Sequence, residues 1–165
     1  NKEGGEESET WGRHFVPSNI QVSSHKLRRK LLAEGFINGI NELLLNQNKV
    51  ILVYPIPVVG WNVPNKLMNL LPQDDSKIKN FLSQNPITTS FEVYLERTKE
   101  SFIMLQKLKN KNLSDIYPHK LFCDNVIQGR CITHNLNEVF YRDASHLSYK
   151  GAKMLMKLIE NEIKF

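Results

Sequence analysis

Hydrophobic residues recur along this chain at spacings that distinguish helices from strands. Between residues 25 and 46 the apolar side chains return every three or four positions, apart from one wider gap, which predicts a helix. The residues at this spacing are Leu27, Leu31, Ile37, Ile40 and Leu44. The same spacing predicts a second long helix over residues 91–108 and a final helix that begins at Tyr149.

An uninterrupted apolar run at residues 50–54, Val-Ile-Leu-Val-Tyr, is typical of a strand that is covered on both faces in a parallel sheet. Pro55 and Pro57 follow, and because proline lacks the N–H that strand pairing needs, residues 56–64 are predicted to form a loop. The pattern favours a short helix at residues 65–71 and a weak second strand at residues 113–117, whereas residues 73–89 are too mixed to assign. This order of elements predicts an open α/β sheet.

Composition indicates one globular domain. The chain has 165 residues, of which 41% are hydrophobic and 24% are charged. Its longest apolar run, residues 50–61, contains two prolines and is shorter than the roughly 20 residues that a membrane-spanning helix needs. Residues 1–10 contain four glutamates and no apolar side chain, so we expect a mobile acidic start ahead of a domain over residues 11–165.

The excess of basic residues, 22 against 17 acidic ones, gives a formal net charge of +5 and raises the question of nucleic-acid binding. The one dense basic cluster lies within residues 26–30, with no RNA-binding aromatic motif beside it, and no zinc-finger spacing occurs in the chain. We therefore interpret most of the basic residues as a solvated surface.

The loop before the final helix contains the strongest candidates for chemistry. Asp143 and His146 are three residues apart in residues 141–148, Tyr-Arg-Asp-Ala-Ser-His-Leu-Ser, which can bring the carboxylate to the imidazole. A carboxylate that accepts the Nδ1 proton orients the ring and stabilises the imidazolium formed when Nε2 takes a proton from a nucleophile. The pair would then be orienter and base in acyl transfer. The alternative is that Asp143 or Ser148 caps the helix while His146 lies on the surface.

A metal site is a weaker hypothesis for the same two residues. Aspartate and histidine both ligate divalent ions, but a third ligand is required, and the four other histidines show no paired ligand spacing.

The two cysteines, Cys123 and Cys131, are eight positions apart, with Gly129 available for a turn between them. Two sulfurs cannot complete a structural zinc site, so a disulfide fits better and would place the domain in an oxidising compartment. Two unrelated buried thiols are the alternative.

Four ordered segments of the chain are similar to one known family. Residues 50–64, Val-Ile-Leu-Val-Tyr-Pro-Ile-Pro-Val-Val-Gly-Trp-Asn-Val-Pro, resemble the family's strand and following loop, and residues 91–97 resemble the start of its next helix. Cys123 and Cys131 resemble its cysteine pair, and residues 141–152 resemble its catalytic block at the end of the domain. On these segments the chain resembles the second half of the SGNH-hydrolase-like domain attached to bacterial acyltransferase-3 membrane proteins, which O-acylate surface polysaccharides.

The resemblance implies a three-layer α/β/α sandwich of SGNH type with a mainly parallel sheet, of which this chain supplies the later strands and helices. It implies O-acyl transfer, with acetyl as the expected group, to a hydroxyl of a cell-surface polysaccharide such as lipopolysaccharide, in the periplasm. Asp143 and His146 would be catalytic. The glycan would be the acceptor, and the membrane acyltransferase domain of the same polypeptide would supply the acyl donor, with acetyl-CoA upstream. No cofactor is expected in the chain itself.

The chain departs from the family in one important respect. The family's serine nucleophile lies in a Gly-Asp-Ser block after the first strand, and that block is absent from this sequence, as is the glycine block of the oxyanion hole. We therefore expect the chain to begin after the nucleophile and to be inactive in isolation, and we assign the nucleophilic role to none of its serines.

Two alternative functions follow from the same residues. A carbohydrate esterase would use Asp143 and His146 with water in place of the sugar hydroxyl. A glycan-binding or partner-binding module would only position substrate. Trp61, in the loop after the first strand, is a candidate sugar-stacking residue, with a role in the core as its alternative.

Overall fold

Helices and short strands alternate along the computed structural model, which describes residues 24–163. The elements are α1 (His25–Leu45), β1 (Val50–Val53), α2 (Val63–Leu70), α3 (Asp75–Gln84), β2 (Thr88–Ser90), α4 (Phe91–Leu105), β3 (Leu113–Ile116), α5 (His119–Phe122), β4 (Arg130–Ile132) and α6 (Tyr149–Ile163). The predicted acidic start at residues 1–10 lies outside the described residues.

The three predicted long helices and both predicted strands are confirmed. Helix α1 begins where the Ser24 hydroxyl accepts a hydrogen bond from the Leu27 N–H, and α4 begins where Ser90 accepts one from Val93 in the same way. Strands β1 and β3 pair in parallel, with Val50 opposite Leu113. Their carboxyl ends therefore lie at the same edge of the sheet, where Pro55 and Pro118 begin the following loops.

A small antiparallel ribbon of β2 and β4 was not predicted. Thr88 of β2 lies opposite Ile132 of β4, and the Arg130 side chain donates hydrogen bonds to the hydroxyl and carbonyl oxygens of Thr88. Helix α3 also lies in the segment that sequence alone left unassigned, and the Asp74 carboxylate caps its first turn. These elements contain few apolar residues, so their sequences carry little local signal. Contacts with distant parts of the chain stabilise them.

One face of the parallel sheet is packed against helices. Leu52 and Tyr54 of this face are buried, and they contact residues of α1 and α4, among them Ile40 and Phe102. On the opposite face, Ile51 and Ser114 line a cavity together with Ile163 of α6. The fold is therefore α/β. The three-layer sandwich stays a prediction, because the parallel sheet has two strands in the part of the chain that the structure describes.

A second and larger core lies beyond the carboxyl edge of the parallel sheet. Its buried residues are Val59, Val63, Leu67, Leu82, Ile87, Phe122, Cys123, Cys131, Phe140 and Tyr141. This core joins the loop after β1, which contains Trp61, to the segment before α6, which contains Asp143 and His146. Between residues 24 and 163 there is no helix with the length and hydrophobicity needed to cross a membrane.

Candidate active site

The imidazole of His146 lies directly against the carboxylate of Asp143. His146 Nδ1 is 2.8 Å from Asp143 Oδ2, and the other carboxylate oxygen, Oδ1, accepts hydrogen bonds from the backbone N–H groups of Ser145 and His146 at 2.8 and 2.7 Å. One carboxylate therefore fixes both the backbone of the turn and the orientation of the ring.

The turn that carries this pair is closed by the backbone on either side. The N–H of Arg142 donates to the carbonyl oxygen of His146 at 3.0 Å, and Tyr141 lies opposite Leu147 as in an antiparallel strand pair. Because Tyr141 is buried and Leu147 packs against the same core, the turn is held at its base while His146 projects outward. The His146 side chain is 66% exposed and that of Asp143 is 33% exposed.

Helix capping is performed by Ser148, which leaves Asp143 free for the histidine. Ser148 Oγ accepts a hydrogen bond from the N–H of Gly151 in the first turn of α6 and donates one to the carbonyl oxygen of Val139 at 2.6 Å. The capping alternative is thus right for Ser148, whereas Asp143 caps its own turn. Sequence alone could not separate the two residues, because both are acceptable caps and both precede α6.

Hydrogen bonding keeps the Asp143 carboxylate ionised. Its partial burial would raise the pKa, but the hydrogen bonds from the backbone of His146 and Ser145 and from the imidazole lower the pKa to about 2. An ionised carboxylate can only accept hydrogen bonds, so Nδ1 of His146 carries a proton. In the neutral ring Nε2 is then the nitrogen with a free lone pair, and the exposure of the side chain leaves it accessible.

The loop after β1 is bonded to the same turn. The N–H groups of Val59 and Gly60 donate to the carbonyl oxygen of Ala144 at 2.9 and 3.3 Å, and the hydroxyl of Tyr141 donates to the carbonyl oxygen of Pro57 at 2.9 Å. The loop after β1 and the histidine turn are therefore in direct contact at the carboxyl edge of the parallel sheet.

Trp61 follows directly in the first of these loops. Its ring is half-buried and packs against the larger core, and Nζ of Lys66 lies 3.9 Å from the ring centroid. The structure thus supports the role in the core while leaving part of the side chain exposed.

Cys123 and Cys131 form a disulfide, which confirms that prediction and makes the alternative of two separate thiols wrong. The bond joins the end of α5 to β4. Between them, Gly129 adopts the left-handed conformation, with φ of +70°, and its N–H donates to the Asp124 carboxylate. The turn expected at Gly129 is present.

A second histidine at the carboxyl edge was missed by the sequence reasoning. His119 Nδ1 is 3.4 Å from the hydroxyl of Tyr94, which donates a 2.8 Å hydrogen bond to the carbonyl oxygen of Pro55. Burial, and to a smaller extent Lys120, lower the pKa of His119. The signal that could have identified His119 is its position directly after Pro118, at the end of the second parallel strand.

His134 has a structural role. It is buried, its Nε2 accepts a hydrogen bond from the N–H of Ile87 at 3.0 Å, and its Nδ1 lies 2.9 Å from the carbonyl oxygen of Asn135. Both ring nitrogens are therefore occupied. Among residues 24–163, no group of three or more His, Cys, Asp or Glu side chains could hold a metal ion.

The serine next to His146 in the chain, Ser145, does not face Nε2. Ser145 Oγ is 3.4 Å from Nδ1, the nitrogen that already faces Asp143, rather than from Nε2. The hydroxyl of Ser24 caps α1. Ser18 and Ser23 lie outside the described residues. Within the described part of the chain, no serine hydroxyl is hydrogen-bonded to Nε2 of His146.

A comparison with protein-family models places these observations in context. The model described as "SGNH domain (fused to AT3 domains)" matches residues 6–161, which is nearly the whole chain. The searches of curated proteins and of solved structures found no significant match.

Proposed function

The chain belongs to the family of SGNH domains fused to AT3 domains, and on this basis we propose that it transfers an acyl group, expected to be acetyl, to a hydroxyl of a cell-surface polysaccharide. Membership associates the chain with acyl-transfer or esterase chemistry and with a membrane acyltransferase domain as its fused partner. The acceptor and the steps of the reaction are the proposal.

The observation that carries the proposal is the 2.8 Å contact between His146 Nδ1 and the ionised carboxylate of Asp143. In a serine-dependent acyl transfer, Nε2 of His146 takes the proton from the serine hydroxyl as the oxygen attacks the acyl carbonyl. Asp143 stabilises the imidazolium that forms. The same proton is then returned to the leaving group, which yields an acyl-serine.

The second half of the reaction uses the histidine again. A sugar hydroxyl gives its proton to Nε2 and attacks the acyl-serine, and the serine oxygen recovers a proton as it leaves. The acyl group ends on the sugar as an ester. The exposure of His146 supports this role, since the acceptor is a large glycan that has to approach the ring from solvent.

The serine and the acyl donor are proposed to come from outside the described residues. We propose that the membrane acyltransferase domain delivers the acyl group, derived from acetyl-CoA. The SGNH domain is proposed to act in the periplasm. The Cys123–Cys131 disulfide supports an extracytoplasmic location, because such bonds persist in oxidising compartments.

A carbohydrate esterase is the second candidate function, because the exposed imidazole is open to water as well as to a glycan. With water as the acceptor, the same dyad hydrolyses the acyl-serine, and an open site admits water readily. The transferase and the esterase differ in their products, so they are separated by whether intact polysaccharide gains or loses ester groups.

The test replaces His146 by alanine in cells that produce the full-length protein. We expect the rate of acylation to fall by several powers of ten, because a triad member is lost. The number of ester groups on the surface polysaccharide, measured by mass spectrometry at matched protein levels, should therefore drop sharply. Lys153→Ala, an exposed change on α6, is the matched control and should retain acylation. Unchanged acylation in the His146→Ala strain would refute the general-base role and favour a binding module.

A further inference from the structure

Lys66, which has no acidic partner among residues 24–163, lies over the half-buried ring of Trp61 in the loop bonded to the candidate active site. Lys66 Nζ is 3.9 Å from the centroid of the Trp61 ring, a favourable cation–π distance. The Lys66 side chain is exposed, and it forms no ion pair with any of the described residues. None of the described carboxylates therefore neutralises its positive charge.

The backbone holds this pair next to the histidine turn. Gly60, the neighbour of Trp61 in sequence, donates its N–H to the carbonyl oxygen of Ala144, which lies between Asp143 and His146 in the chain. Consecutive Cα atoms are about 3.8 Å apart, so the Cα atom of Trp61 lies one residue from the Gly60 N–H that bonds to the turn. Trp61 therefore belongs to the loop segment that is bonded to the histidine turn.

A second cation lies on the other part of the turn. Arg142 Nε is 3.6 Å from Asp143 Oδ2, and the Arg142 side chain is 69% exposed. The Asp143 carboxylate already accepts hydrogen bonds from the His146 ring and from the backbone N–H groups of Ser145 and His146. Arg142 therefore shares this carboxylate with three other donors. Two exposed cations therefore belong to the connected loops: Lys66, which lies over Trp61, and Arg142, which lies in the histidine turn beside Asp143.

We propose that Trp61, Lys66 and Arg142 form an acceptor subsite for a sugar that carries a carboxylate. This inference rests on the proposed function, and it specifies the acceptor as an acidic glycan. The apolar face of the sugar ring stacks on the indole, displacing the Lys66 ammonium to the edge of the ring. There the ammonium pairs with the sugar carboxylate, and Arg142 offers a planar guanidinium that can bind a carboxylate through two N–H groups.

The test compares a charged probe with its uncharged methyl ester. One is a tetramer of galacturonic acid, and the other is the same tetramer with its carboxylates converted to methyl esters. Binding of each to the purified full-length protein is measured by titration calorimetry at low and high salt. We expect the acid form to bind about fivefold more tightly than the ester at low salt, and the difference to shrink as salt screens the charges.

Two lysine variants locate the preference. Lys66→Gln should remove most of the discrimination between acid and ester, whereas Lys107→Gln, which removes an exposed charge beyond the end of α4, should retain it. Equal binding of the two probes, binding of neither, or the same discrimination in both variants would overturn the acidic subsite.

Failure of the subsite is distinguishable from failure of the proposed function. His146→Ala should still bind the acid probe while losing acylation in cells. If acylation depends on His146 but the acid preference is absent, only the acidic subsite is wrong. If the acid preference depends on Lys66 but acylation is independent of His146, the subsite stands and the catalytic proposal is wrong.

Discussion

The hydroxyl of Tyr141 donates a hydrogen bond to the carbonyl oxygen of Pro57 across a separation of 84 residues. Both partners are fully buried, so this bond fixes the loop after β1 against the segment that enters the histidine turn. Burial raises the pKa of Tyr141 well above its ordinary range, so the phenol stays protonated and remains a donor.

Tyr141→Phe should lower the free energy of unfolding by about 1–3 kcal/mol, because the buried carbonyl of Pro57 loses its donor. Urea unfolding measures the change. Tyr149→Phe is the matched control, since Tyr149 is exposed at the start of α6, and it should change the stability little. Equal stability of the two variants would show that the Tyr141 bond contributes nothing.

Reduction of the Cys123–Cys131 disulfide should raise the intact mass by about two hydrogens and expose two thiols to alkylation. The bond closes a short loop, so its loss should cost about 2–3 kcal/mol of stability. Mass spectrometry of protein exported to the periplasm checks the first point. Two freely alkylated thiols before reduction would contradict both the bond and the proposed location.

Gly151→Ala should destabilise the protein or displace α6, because the added Cβ would overlap the carbonyl oxygen of Phe140. Gly39→Ala is the matched control. Gly39 is also helical but has open space around it, so alanine there should stabilise α1 by about 0.5–1 kcal/mol. Thermal or urea unfolding of both variants shows whether each change raises or lowers the stability. A destabilised Gly39→Ala with an unaffected Gly151→Ala would contradict this packing.

Asp143 should make the stability depend on pH in acid. Its folded pKa of about 2 lies below the ordinary value of 3.8, so its contribution is fully present above about pH 4. That contribution is lost as the pH falls through the folded pKa. Between pH 5 and pH 2, urea unfolding should therefore show a larger loss of stability in the native protein than in Asp143→Asn. Parallel pH profiles would indicate that the carboxylate is not held ionised by the turn.

The 165-residue chain should show little esterase activity on its own. With p-nitrophenyl acetate its rate should stay near that of His146→Ala, because an imidazole without a positioned serine or oxyanion donors gives only weak catalysis. Release of p-nitrophenol measures the rate. A clear turnover that depends on His146, together with a trapped acyl-serine, would mean that a serine of this chain is the nucleophile.

Long helices and the parallel strands could be predicted from sequence because their signal is local. Apolar residues recur every three or four positions in α1, α4 and α6, and β1 is a continuous apolar run. The ribbon of β2 and β4 could not be predicted in this way. Its strands have three residues each, and bonds such as that from the Thr133 hydroxyl to the carbonyl oxygen of Ile87 join residues 46 positions apart.

In the candidate site, too, local contacts could be predicted from sequence and long-range contacts could not. The spacing of Asp143 and His146 indicated that the two side chains could meet, because the whole contact lies within one turn. The contacts of Ala144 with Val59 and of His119 with Tyr94 depend on how separate loops pack. Nothing in the spacing of these residues specifies such packing.

The two-stranded parallel sheet has a consequence for handling this protein in solution. Among the described residues β1 and β3 each have a single bonded neighbour, and the N–H groups of Val50 and Tyr54 both point toward β3. In a parallel pair the intervening N–H groups of Ile51 and Val53 then face the opposite side. An edge strand of this kind can recruit strands from neighbouring molecules. Unless something covers that edge, aggregation should increase with protein concentration, and dilute samples are the safer ones in which to measure binding or unfolding.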